Sequence, residues 1–91
     1  MPRKVSTAIF GGLAWSIRSQ AGLKPPDVGE CRYDKRTIKV PIGGDTLPEL
    51  EWTIHEALHA AFPWMREWMV DRVSGELSRF LWRLGWRKAD D

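Results

Sequence analysis

Cysteine, histidine and tyrosine are nearly missing from this chain of 91 residues, which holds one, two and one of them. A lone cysteine, Cys31, rules out an intrachain disulfide and leaves a reducing compartment open to the protein; a small semi-buried thiol is the expected role. Long apolar runs are missing too. The patch from Ala8 to Trp15, behind Met1-Pro2-Arg3-Lys4, imitates the start of a secretion signal, but Gly11-Gly12 break it and Arg18 follows. An excess of one charge is also lacking: 14 basic against 12 acidic residues leave a formal net charge of +2, which gives no call for nucleic acid. The expectation is a cytoplasmic protein with neither nucleic acid nor a membrane as its partner.

Residues 1–91 are expected to form a single domain, because a chain this short buries only about 60–65% of its unfolded surface and has no material for a second core. Hydrophobic residues at 43% and charged residues at 29% are those of a globular domain. A bound metal would therefore add to stability as well as to chemistry.

Both histidines fall in one run, Thr53-Ile54-His55-Glu56-Ala57-Leu58-His59-Ala60, with the pattern H-E-x-x-H. Four residues apart on a helix, the two imidazoles stand one turn above each other and about 40° apart around the axis, so both can reach one metal ion. Glu56 lies about 100° from His55, placed to touch a water on that metal rather than to bind it. Chance would give this pattern in well under about one in a hundred chains of such length.

The elements around the motif are read from periodicity and punctuation. Strands are expected over 5–42. Gly11-Gly12 makes a turn between two short ones or leads into one, although a helix over the first part is an alternative. Lys24-Pro25-Pro26-Asp27 marks a connecting loop between Gly22 and Gly29. The clearest strand is Arg36 to Ile42, with Ile38, Val40 and Ile42 on one face; Pro41 predicts that it lies at a sheet edge. Such an edge, along Thr37, Ile38, Lys39 and Val40, is either simply protected by proline and lysine or free to take an extended peptide across the metal.

After the turn Gly43-Gly44-Asp45, a helical hairpin is expected over 46–85. Thr46-Leu47-Pro48-Glu49 has the form of a capping box opening a helix over 47–61, with Leu47, Leu50, Ile54, Leu58 and Ala61 as its buried stripe. The histidines stand at the border of that stripe, and Glu56 lies farther round. Pro63 ends the helix. A second, antiparallel helix over 66–84 buries Val70, Val73, Leu77, Phe80, Leu81 and Leu84 and is capped by Gly85. Of its acids, Glu67 sits in the first turn, nearest His59, where the helix dipole favours a carboxylate. Asp71, one turn on, is expected to accept an imidazole N–H or to serve as the alternative ligand, and Glu76 is farther still. The six tryptophans are expected to fill the core; the competing reading is a basic, Trp-rich end (Arg79, Arg83, Arg87, Lys88) that meets a membrane surface or nucleic acid.

Strand, turn, H-E-x-x-H helix and a second helix carrying an acid resemble the minimal gluzincin-type zinc metallopeptidases, the minigluzincins. The chain is also similar to ImmA/IrrE-type peptidases, whose second helix has the pattern E-x-x-A-x-x-F-A-x-x-L-L. The matching run here is Glu67, Val70, Val73, Ser74 and Leu77-Ser78, with Val70 and Val73 departing from it. Residues 30–87, including Leu81-Trp82-Arg83-Leu84-Gly85-Trp86, resemble short metallopeptidase-like proteins encoded by bacteriophages and prophages. The resemblance implies an α+β, zincin-like domain with a small antiparallel or mixed sheet of two to three strands on two antiparallel helices. It also implies Zn²⁺ on His55, His59 and Glu67, with Glu56 as general base for hydrolysis of a peptide or protein substrate. Tyr33 and Arg72 are the candidates for steadying the oxyanion. A zinc-stabilised interaction module on the same scaffold, without catalysis, is the alternative.

Overall fold

The computed structural model describes residues 7–20, 30–41 and 46–86. The loop expected at 22–29, the turn Gly43-Gly44-Asp45 and the basic pair Arg87-Lys88 lie outside these residues. The architecture is α+β: a four-stranded mixed sheet and two helices.

Strand β1 (Thr7–Phe10) turns through Gly11-Gly12 into β2 (Leu13–Gln20), its antiparallel partner. Both glycines have positive φ, 58° and 80°, which a two-residue hairpin turn demands and residues with a Cβ resist. Strand β3 (Glu30–Arg32) then forms a second hairpin with β4 (Thr37–Pro41) across the loop Tyr33 to Arg36. Because β4 also runs parallel to β2, the order is β1-β2-β4-β3. This corrects two expectations: the sheet has four strands rather than two to three, and Thr37, Ile38, Lys39 and Val40 lie in its interior rather than at its edge. Pro41 lies in register with Gln20 of β2, and among the described residues β3 pairs with β4 only from Glu30 and Lys39 to Arg32 and Thr37.

Helix α1 (Leu47–Ala61) opens on the expected cap, the Thr46 hydroxyl accepting from the Glu49 N–H at 3.4 Å. It closes at Phe62, driven out of helical angles ahead of Pro63. Helix α2 (Glu67–Arg83) ends in a Schellman turn, with Trp86 N–H on the Leu81 carbonyl and Gly85 N–H on the Trp82 carbonyl, Gly85 at φ 93°.

Sheet, α1 and α2 stack in that order. Trp15, Ile38, Val40 and Ala60 form the core between the sheet and α1. Among the described elements α2 touches only α1, so one helix rather than two covers the sheet. Two burial expectations fail with it. On α1 the buried residues are His55, Glu56 and Ala60, while Leu47, Leu50, Ile54, Leu58 and Ala61 are only half-buried. On α2 Val70 is buried as expected and Val73 and Leu81 are half-buried, but the rest of the face against α1 is Ser74, Gly75 and Ser78, and Leu77, Phe80 and Leu84 stand in solvent. A Cβ at Gly75 would lie 3.1 Å from the Arg79 guanidinium and 3.4 Å from the Glu51 carboxylate, which shows how closely the two helices approach there. Nor do the tryptophans fill the core: Trp15 is buried, whereas Trp64, Trp68 and Trp86 are exposed.

Candidate metal centre

The hairpin turn between Phe62 and Arg66 brings the first turn of α2 back against the last two turns of α1. His55 Nε2 and His59 Nε2 lie 3.2 Å apart, and the Glu67 carboxylate spans them, Oε1 at 3.0 Å from the first and Oε2 at 2.9 Å from the second. One ligand atom from each of the three residues falls within 4.8 Å of the others, so the group could hold a metal ion. The spacing suits a small tetrahedral ion, since nitrogens about 2.0–2.1 Å from such a centre stand about 3.3 Å from each other. His55 is buried, His59 half-buried and Glu67 exposed, so the site opens to solvent on the side of α2.

Two neighbours fix the His55 ring. Its Nδ1 lies 3.2 Å from Asp71 Oδ1, which as a carboxylate can only accept; with a metal on Nε2, the ring's hydrogen would sit on Nδ1 and be held there by Asp71. Trp52 packs on the ring with centroids 4.9 Å apart. Trp52 stands three residues before His55, one turn back on the same helical face, a spacing the sequence shows but the motif does not include.

Glu56 is turned toward the sheet, 4% exposed, with Oε1 3.9 Å from His55 Nε2. Burial pushes its carboxyl up to about 7, and the negative charges of Glu67 and Glu30 add to the rise. A carboxyl poised near neutrality beside an open metal site can take a proton and return it. Sequence reasoning set Glu56 toward the exposed face and gave Glu30 no role.

The β3–β4 hairpin adds Cys31 and Tyr33. Burial, and next the Glu56 charge, push the Cys31 thiol up to about 11 against a hydrogen bond from Tyr33, so it stays protonated and half-buried. Tyr33 stacks edge-on against Trp15, centroids 6.0 Å apart. Burial first, then Cys31, Glu56 and Glu67, raise its pKa, which keeps the phenol O–H a donor. Arg72, the other candidate, is exposed and ion-paired with Glu76, Nε to Oε2 3.8 Å. The strand row Thr37 to Val40 lies behind β3 and presents no free edge; the outer edge nearest the site belongs to Glu30–Arg32.

Comparison of the chain with protein-family models, with curated proteins and with solved structures returned no match. Among the described residues no helix is long and apolar enough to cross a membrane.

Proposed function

We propose that the protein is a zinc-dependent peptide hydrolase of the minigluzincin kind. The observation that carries this reading is the pairing of a three-ligand group with a buried carboxyl held near pH 7 at 3.9 Å from one ligand. His55, His59 and Glu67 would hold Zn²⁺, which when bound supplies Lewis acidity toward water and the scissile carbonyl. Glu56 takes the proton from the attacking water and returns it to the leaving amine. Asp71 keeps the His55 ring in the tautomer that ligation needs, and Tyr33 is the donor on hand for the oxyanion. A substrate strand would lie along the outer edge of β3, with Glu30–Arg32 as its template.

The test is cleavage of a peptide library by metal-loaded wild type and by Glu56→Gln. Wild type should load one equivalent of zinc and cut. The Glu56→Gln protein should load the same zinc and lose at least about a hundredfold in rate. Zinc loading with no cleavage by either protein would overturn the hydrolase and leave the metal-stabilised interaction module.

A further inference from the structure

The apolar stripe of α2 faces neither α1 nor the sheet. Val73, Leu77, Phe80 and Leu84 follow one another at spacings of four, three and four, a heptad seam. Val73 is half-buried, while Leu77, Phe80 and Leu84 are 41, 58 and 61% exposed. On α1 the half-buried Leu50, Ile54 and Leu58 continue the surface, because at 100° per residue they and the seam both lie on the side of the hairpin away from the metal ligands. Together these side chains expose roughly 300–400 Å² of apolar surface, as large as the biggest patch on an ordinary monomer. With its charged rim the face approaches the roughly 600–800 Å² per partner of a small stable interface.

The rim indicates what covers it. Glu76 and Arg83 stand seven residues apart on one flank of the seam, both exposed. An antiparallel pairing of α2 with a second α2, about a two-fold axis between residues 78 and 79, sets Leu77 on the partner's Phe80 and Val73 on the partner's Leu84. In that register Glu76 comes beside the partner's Arg83, and symmetry repeats the pair. A parallel pairing would give Glu76 the partner's Leu81 instead, which offers no charge. We infer that the protein is a symmetric dimer joined through antiparallel α2 helices, a four-helix layer with the metal centres facing outward on opposite sides.

The inference is independent of whether the centre cuts peptides, and the test uses the full chain. Sedimentation equilibrium over a hundredfold range of concentration should show a species of twice the 10.5 kDa chain mass. Phe80→Glu should give a monomer that still takes up zinc, which shows that the hairpin has folded. Glu76→Arg and Arg83→Glu should each raise the dimer dissociation constant about tenfold, and the two together should restore it to within about threefold. A wild-type chain that stays monomeric throughout overturns the inference, also when it pellets with anionic vesicles through Phe80, which would assign the face to a membrane. A dimer indifferent to Phe80→Glu, or one that the double charge exchange fails to restore, overturns it as well.

Discussion

Asp71 Oδ1 sits 3.2 Å from His55 Nδ1, on the far side of the ring from the nitrogen that faces His59 and Glu67, where it would hold the ring's hydrogen once a metal took Nε2. Asp71 and Glu67 are one turn apart on α2, yet their contributions differ. Glu67 reaches both Nε2 atoms, and Asp71 reaches only the far side of one ring.

Metal affinity should separate the two acids. Glu67→Ala should remove one of three ligands and lower zinc affinity by several orders of magnitude, as His59→Ala should. Asp71→Asn should cost about 10–100-fold, the size expected of an orienting partner. Competition titration against a chelating dye measures all three. A larger loss in the Asp71 variant than in the Glu67 variant would reverse the assignment.

Stability of the metal-free protein should fall as pH rises through Glu56. Folding raises its carboxyl from about 4.5 to about 7, so the folded state binds the proton more tightly than the unfolded chain. The stabilisation is complete below the unfolded value and is lost as pH climbs through the folded one. Melting curves between pH 4 and pH 8 should show wild type losing ground to Glu56→Gln across that window. Parallel curves for the two proteins would refute the shift.

Tyr33→Phe should lower kcat about 10²-fold while leaving KM and zinc affinity within about twofold, because the phenol oxygen is asked to act on the developing charge and on nothing bound beforehand. An effect on KM alone would give the ring a packing role against Trp15.

Ser78→Leu should destabilise the protein by about 1–3 kcal/mol, measured by urea unfolding, because Ser78 is fully buried where α2 meets α1 and has no room for a larger side chain. Read by hydropathy alone the change would look stabilising.

That contrast marks the limit of what the residues disclose. Thr46 and Pro63 give the bounds of α1, and Gly11-Gly12 and Gly85 mark their turns, since each is set by backbone chemistry within a few residues. Burial of the helices does not follow in the same way. Periodicity reveals which face of α2 is apolar but not what lies opposite, and here the need to aim His55, His59 and Glu67 into one space turns the polar faces inward and the apolar ones out. β3 is only Glu30-Cys31-Arg32, too short to show alternation, and its pairing with β4 moved the expected edge strand into the interior. The Glu56 environment was equally hidden, because it depends first on burial and then on the charges of Glu67 and Glu30, which only the fold brings close.

Since α1 is the only described element of the chain that α2 rests on, an ion shared by His55, His59 and Glu67 would act as a clasp between the two helices as well as a reagent. Withdrawing it should loosen α2 as one piece while the sheet and α1 keep their shape. The supply of metal would then govern the chain's lifetime against proteases before it governs any turnover of the chain's own.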